Sequence, residues 1–209
     1  MKKIPALLLA LATLSGSALA DDVAVLHIRT GAKLQRVVIA FHEDAAPATV
    51  ANFKKLADEH FYNGTAFHRA FPHTMVQAGD PRSKHNGNTG IGTGGPGYTL
   101  PPEIKLKHTV GAVAAARLPD KINPARRSNG SQFYIALQPM PNLDGQYTVF
   151  GHVTEGLEVL DAISQMQTDT NDRPAEPVVI ESIRIVPGEA AASVTPGENR
   201  ILRLFRRLF

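Results

Sequence analysis

The chain has 209 residues, no cysteine, and 22 basic against 19 acidic side chains. This length fits one domain of ordinary size, and the lack of cysteine excludes disulfides, zinc–thiolate sites and a cysteine nucleophile. The basic excess lies at the two ends, because residues 21–197 carry 16 basic and 18 acidic side chains. A nucleic-acid partner would need a basic face on the domain itself, so we expect none.

The first twenty residues have the pattern of a secretory signal peptide. Lys2 and Lys3 precede an apolar run from Ile4 to Leu14, and small residues end the segment at Ala20. The run is shorter than the ~20 residues of a membrane-spanning helix, although a retained N-terminal anchor is the alternative. We expect cleavage after Ala20 and a periplasmic protein of bacterial type that begins at Asp21.

Periodic apolar side chains predict the first elements of the domain. Residues 23–29 and 37–41 alternate apolar and polar side chains, which predicts a β-hairpin around Thr30 and Gly31. From Pro47 onwards, apolar side chains recur at helical spacing as far as Ala57, which predicts a helix that starts at the proline.

The segment FHRAFPHTMVQAGD, residues 67–80, predicts a strand with one chemically active face. Two sets of side chains share a parity: Phe67, Arg69 and Phe71 before the proline, and Met75 and Gln77 after it. An arginine keeps its proton at working pH, so Arg69 can donate hydrogen bonds but cannot act as a base. A structural ion pair of Arg69 is the alternative.

Two patterns that suggest a bound metal or cofactor fail on closer reading. His68, His73 and His85 lack the spacing of a zinc motif, so we expect no metal and a hydrogen-bonded structural role for His68. The glycines of residues 87–97 match the spacing of the dinucleotide fingerprint, but no apolar strand precedes them and prolines follow them. This segment predicts a long surface loop, and we expect no cofactor.

Four segments identify a family by their order and spacing. They are FHRAFPHTMVQAGD, GTGGPGYTLPPEI, SNGSQFYIAL and LDGQYTVFGHV, and together they span most of residues 67–153. The chain resembles the cyclophilins over roughly residues 22–187. A short small-residue strand at residues 110–116, a helix after Gly151 and a strand at residues 178–186 agree with this resemblance.

The resemblance implies an all-β domain over residues 21–187, built as a closed eight-stranded antiparallel barrel capped by two α-helices. It implies a peptidyl-prolyl cis–trans isomerase that acts on proline-containing polypeptides, and we expect a monomer. Arg69 matches the catalytic arginine, and Gln77 matches the glutamine that orients it and the substrate. The positions that match substrate contacts are Thr74, Met75, Ala116, Arg117, Gln132, Tyr134, Leu143 and Tyr147.

Four positions depart from the pattern of animal members. Thr74 and Tyr134 stand in place of phenylalanines, Tyr147 in place of a histidine, and Asn142 in place of a tryptophan that contacts cyclosporin. Loss of the aromatic wall at Thr74 removes apolar contact worth ~1–2 kcal/mol of binding. A chaperone that binds proline-containing segments with little catalysis is therefore the alternative function.

The C-terminal end departs from the family altogether. Residues 188–198 are small and polar, which predicts a linker, and residues 199–209 predict an amphipathic basic tail. On a helix, six apolar side chains of this tail fall within an arc of about 160° and its four arginines fall outside it. The tail predicts peripheral contact with an anionic membrane; a disordered tail or a helix docked on the barrel is the alternative.

Overall fold

The computed structural model describes residues 21–84 and 89–195. Eight strands and two α-helices form this part of the chain: β1 (Asp22–Thr30), β2 (Lys33–Phe41), α1 (Pro47–Asp58), β3 (Arg69–Phe71), β4 (Met75–Ala78), β5 (Ala112–Ala115), β6 (Phe133–Ala136), β7 (Val149–Glu155), α2 (Leu157–Ser164) and β8 (Val178–Pro187). The predicted signal peptide and basic tail lie outside the described residues. Within the described ranges, no helix is long and apolar enough to cross a membrane.

The strands form one antiparallel sheet in the order β3-β4-β6-β5-β7-β2-β1-β8. Residues 64–67, just before β3, close this sheet onto β8. The Phe67 amide donates to the Val178 carbonyl at 2.9 Å, and the Ile180 amide donates to the Thr65 carbonyl at 2.8 Å. The predicted closed eight-stranded barrel with two helices is confirmed.

The barrel interior is an apolar core to which α1 contributes its buried face. Ala24, Leu26 and Ile28 of β1 all point into this core, as their alternation predicts. The ring of Phe53 on α1 lies 5.0–5.5 Å from the rings of three other aromatic residues. Helix α1 therefore closes one end of the barrel.

The predicted shared face of Phe67 and Arg69 is wrong. Phe67 is buried in the interior core, whereas Arg69 is exposed on the opposite face. The chain changes its pairing partner between them, because the Phe67 amide bonds to β8 and the His68 amide bonds to the Gln77 carbonyl of β4. Side chains therefore stop alternating strictly between the two faces of the sheet where the pairing partner changes.

The predicted linker is also wrong for residues 188–194. Gly188–Ser193 form a 3-10 helix that folds back over the outer face of β1, β2 and β8. There Ala191 and Val194 pack against Val25, Val38 and Val186, and all five side chains are buried. Apolar residues on the outward face of these strands need cover, so the packed domain continues through Val194.

The N-terminus of α1 is capped by a residue distant in sequence. Ala46, at the N-cap position, offers no side-chain acceptor. Instead, the carboxylate of Glu103 accepts from the amides of Ala48 at 3.0 Å and Thr49 at 2.8 Å, and from the Thr49 hydroxyl at 2.7 Å. A carboxylate at this position satisfies first-turn donors and complements the helix dipole.

Replacement of Glu103 by alanine should therefore lower the free energy of unfolding by about 1–2 kcal/mol, the usual cost of losing an N-cap. Urea unfolding followed by far-UV circular dichroism measures the change. Glu59→Ala is the matched control, because Glu59 is exposed at the other end of the same helix and only approaches Lys55 at 3.9 Å. Equal stability of the two variants would contradict the capping role.

Candidate active site

One cross-strand row of the sheet brings the predicted catalytic side chains together. Arg69 of β3 lies opposite Gln77 of β4, and Gln77 lies opposite Tyr134 of β6. Two residues earlier in β4, Met75 occupies the same face and lies opposite Phe71. Side chains directly opposite in an antiparallel pair are neighbours, so the register alone assembles this group on one face.

A cavity of about 400 Å³ opens over this row. Its lining includes all of the predicted site residues except Thr74: Arg69, Met75, Gln77, Ala116, Arg117, Gln132, Tyr134, Leu143 and Tyr147. The floor is apolar, and Ala114 of β5 and Ala136 of β6 lie directly opposite Tyr134 and Met75 in the same cluster. Small side chains beside large ones leave room for a ligand above the sheet.

Thr74 does not line the cavity. It lies in the turn between β3 and β4, where its hydroxyl donates to the Pro72 carbonyl at 3.0 Å and accepts from Gln138 Nε2 at 3.2 Å. Phe71 instead packs against the apolar cluster that contains Met75 and Tyr134. The missing aromatic wall at Thr74 is therefore accompanied by an aromatic ring on the neighbouring strand.

The guanidinium of Arg69 has an aromatic and a charged neighbour and remains free to donate. Its Cζ lies 4.9 Å from the centre of the Phe71 ring, and its Nη2 lies 3.9 Å from Asp172 Oδ2, too far for a hydrogen bond. No side chain or carbonyl in the described part of the chain accepts from it. The loop that carries Asp172 is attached to β3, since the Ala70 amide donates to the Asp172 carbonyl at 2.9 Å.

Gln77 is fixed by a chain of hydrogen bonds that also forms the cavity wall. Its Nε2 donates to Gln132 Oε1 at 2.9 Å, and Gln132 Nε2 donates in turn to the Gly94 carbonyl at 2.8 Å. Both glutamines are buried. This arrangement leaves the Oε1 of Gln77 as an acceptor directly opposite Arg69.

The glycine-dense loop, predicted as a surface loop, takes part in this wall. Buried Asp80 accepts hydrogen bonds from the amides of Gly92 and Gly94, and Gly92 lines the cavity. A Cβ at Gly94 would lie 2.1 Å from Asp80 Oδ1, so only glycine allows this close approach.

A buried polar network holds the hydroxyl of Tyr134, and sequence reasoning missed it. His108 Nδ1 lies 3.0 Å from Asp144 Oδ1, and His108 Nε2 lies 2.8 Å from the Tyr134 hydroxyl. The carboxylate can only accept, so Nδ1 carries the proton, and in the neutral imidazole Nε2 accepts from the tyrosine. Hydrogen bonds from His108 lower the pKa of Asp144, and burial raises the pKa of Tyr134. Tyr134 thus stays neutral and serves as a fixed wall.

The side chain of Arg117 is buried within the cavity wall. Its Nε donates to the Gln146 carbonyl at 2.8 Å, its Nη1 lies 2.5 Å from Asp120 Oδ1, and its Cζ lies 4.5 Å from the centre of the Tyr147 ring. Its side chain therefore holds the cavity wall together. Its main-chain amide and carbonyl have no partner among the described residues, whereas those of Ala116 already pair with Gln132 and Asn129.

The cavity also has a side that sequence reasoning did not predict. The further lining residues are Gly92, Thr99, Leu118, Ile122, Asn123, Arg127 and Asn129. Four of these belong to the polar loop after β5, which carries no recognisable motif and so gave no signal.

The histidines give a mixed result. The imidazole of buried His68 lies beside the Ala66 main chain and Gln132, but neither ring nitrogen has a partner in good hydrogen-bonding geometry in the described structure. Burial lowers the pKa of this imidazole and favours its neutral form. No group of three potential metal ligands occurs within residues 21–84 and 89–195.

Comparison with known proteins agrees with the barrel and its cavity. Residues 25–185 match the sequence model of the family described as cyclophilin type peptidyl-prolyl cis-trans isomerase. The chain belongs to the cyclophilin family. Peptidyl-prolyl cis-trans isomerase A of Mycobacterium tuberculosis is 38% identical over 190 residues, which cover 83% of this chain and 97% of that protein.

Other cyclophilins show the same relationship. Peptidyl-prolyl cis-trans isomerase B of Bacillus subtilis is 43% identical over 126 residues, covering 59% of this chain and 79% of that protein. The crystal structure of a Cryptosporidium parvum cyclophilin superposes with a TM-score of 0.68 at 27% identity, covering 79% of this chain and 97% of that one. The protein is a cyclophilin-type peptidyl-prolyl cis–trans isomerase.

Tyr134→Phe should destabilise the protein by about 1–3 kcal/mol, because it leaves the buried His108 Nε2 without a partner. Urea unfolding measures the loss. Tyr147→Phe is the control, since the Tyr147 hydroxyl makes no hydrogen bond to any described residue while its ring contacts the same cluster. If both variants lose the same stability, the hydroxyl of Tyr134 has no special role.

Proposed function

We propose that this cyclophilin accelerates rotation about X–Pro bonds in exported polypeptides, with Arg69 as the hydrogen-bond donor and Gln77 as its orienting partner. The observation that carries the proposal is the cross-strand pairing of Arg69 with Gln77 beside an apolar cavity. The guanidinium has a charged and an aromatic neighbour and donors that no described residue uses.

The reaction needs only a fixed donor, which explains why a site without a nucleophile suffices. The partial double bond of the amide gives a barrier of ~18–20 kcal/mol. During rotation the proline nitrogen becomes pyramidal, and its lone pair, which is delocalised in the planar amide, becomes localised and able to accept a hydrogen bond. A donor aimed at that nitrogen stabilises the twisted state more than either planar state and so increases the rate.

The apolar floor supplies the site for the proline ring. Met75, Tyr134 and Leu143 all line the cavity and belong to or pack against one apolar cluster. In this proposal the ring lies on this floor and the preceding carbonyl is free to swing past Arg69. A Cryptosporidium parvum relative has been crystallised in the presence of the dipeptide Ala-Pro, which supports a proline-sized ligand here.

The client main chain requires a pairing partner on the cavity wall. Ala116 and Arg117 are the two candidates, and only Arg117 has an amide and a carbonyl without partners among the described residues. We assign the main-chain contact to Arg117, whose immobilised side chain keeps that peptide group in place.

Arg69→Ala should lower kcat/KM at least a hundredfold, because removal of one preorganised donor costs about 10²–10³ in rate. Arg69→Lys should also lose most activity, since an ammonium does not reproduce the planar guanidinium. A protease-coupled assay on a short Xaa-Pro peptide measures both.

Arg29→Ala is the control for this experiment. Arg29 is as exposed as Arg69 and also lies beside a carboxylate, that of Glu181. Arg29 belongs to β1 and does not line the cavity. Near-parental kcat/KM in a folded Arg69→Ala protein would contradict the assignment. Binding of proline peptides without measurable turnover by the parent protein would instead favour the chaperone function.

The proposed location rests on the two ends of the chain. The basic, apolar and small-residue order of residues 1–20 supports export with cleavage after Ala20, and the segregated arginines of residues 200–209 support contact with anionic lipid. Each arginine near such a surface contributes about 1 kcal/mol. The tail would then hold the isomerase near newly exported chains.

Protein recovered from the periplasm should begin at Asp21 by mass spectrometry. It should co-sediment with anionic vesicles at low salt and be released at high salt, because arginine–lipid attraction is screened. The shortened protein used for comparison, which lacks the tail, should end at Thr195, since residues 188–194 belong to the packed domain. Equal sedimentation of the full and shortened chains would exclude a membrane role for the tail.

A further inference from the structure

The two most exposed large apolar side chains of the described residues stand together at the mouth of the cavity. Leu118 is 58% exposed and Ile122 is 69% exposed, whereas the other exposed large apolar residues range from 36% to 40%. Scattered apolar residues on a surface are ordinary. A pair on one loop that also lines a ligand cavity is a different case.

The loop that carries them, residues 118–127, is rigidly built. The amides of Ile122 and Asn123 both donate to the Pro119 carbonyl at 2.9 Å. Asn123 Nδ2 donates to the Arg127 carbonyl at 2.8 Å, and the Arg127 amide donates back to Asn123 Oδ1 at 3.1 Å. These bonds fix the turn on which Ile122 is displayed.

Charged contacts attach this turn to the cavity wall. Asp120 lies between Arg117 and Arg126, at 2.5 and 2.9 Å. The guanidinium of Arg127 donates to both the hydroxyl and the carbonyl of Thr99 at 2.7 Å. The main chain that carries the two apolar side chains is therefore fixed before any ligand arrives, so little conformational entropy of the loop is lost on binding.

We propose that Leu118 and Ile122 form an apolar rim subsite that binds a large aliphatic or aromatic side chain of the client polypeptide near the isomerised X–Pro bond. The proposal rests on the isomerase function of the same cavity. Continuity identifies the occupant, because Leu118 and Ile122 line the cavity that also contains Arg69 and Tyr134. A chain that places proline on the floor extends past this rim.

The rim subsite should make the enzyme discriminate between clients by the size of the residues that flank proline. An apolar contact of this kind changes kcat/KM by about tenfold. Two peptide sets test this expectation: a glycine-flanked Ala-Pro peptide, and peptides in which leucine replaces one glycine up to three positions from the proline. Exchange NMR measures cis–trans turnover without a coupling protease, and chemical-shift titration of the same samples measures affinity.

For the parent protein, at least one leucine peptide should exceed the glycine peptide about tenfold in kcat/KM and about tenfold in affinity. In the double variant Leu118→Ser, Ile122→Ser, the leucine-to-glycine ratio of kcat/KM and that of affinity should both fall close to one. Leu34→Ser is the matched control, because Leu34 is an exposed leucine in the β1–β2 hairpin and does not line the cavity. It should leave both ratios unchanged.

Ratios near one in the parent protein, or ratios that the double variant does not alter, would overturn the proposal. Dimerisation of the parent protein through Leu118 and Ile122 would also overturn the proposal. Sedimentation velocity would then show a dimeric parent protein and a monomeric double variant. Lack of turnover of every peptide would contradict the catalytic assignment of Arg69 and leave the affinity ratio to decide on the rim subsite. Failure of the rim subsite is thus distinguishable from failure of the proposed isomerase function.

Discussion

Main-chain pairing of β3, β4 and β6 decides which side chains reach the cavity, because successive residues of a strand point to opposite faces of a sheet. Arg69, Gln77 and Tyr134 are register partners. A slip of one residue in β4 would turn Gln77 inward and bring Val76 out of the core. The closure of residues 64–67 onto β8 helps to prevent this slip, since it fixes the chain immediately before β3.

Buried polar groups then convert the register into a rigid site. Gln77 and Gln132 connect β4 and β6 to the glycine-dense loop, while His108 connects Tyr134 to Asp144 beyond β6. Each of these groups would be costly to bury without its partner. The cavity wall and its floor are consequently held by the same interactions that stabilise the fold around them.

Local patterns in the sequence predict the strands of the first hairpin and helix α1, because the apolar periodicities there match the buried faces. The barrel class comes from the family resemblance and not from these periodicities. They fail where a partner distant in sequence decides the structure. Phe67 changes face because its amide pairs with β8, and residues 188–194 pack because Val25 and Val38 need cover. Neither partner is visible in a local window of sequence.

At the candidate site, too, the sequence predicts some features and misses those that depend on distant partners. Resemblance identifies nine of its lining side chains, but it places Thr74 on a wall that the turn at Pro72 does not reach. It also gives no sign that the Arg117 side chain is occupied within the wall. Side-chain identity predicts what a residue is able to do, whereas its hydrogen-bond partners decide whether it remains available.

Availability separates the arginines around this cavity into two roles. Arg117, Arg126 and Arg127 spend their donors on carbonyls, a hydroxyl and Asp120, so they fix the loop of residues 118–127. Arg69 has only a distant carboxylate and an aromatic face beside it. Three committed guanidiniums therefore shape the cavity around a fourth that can still donate, which is the arrangement that the proposed mechanism uses.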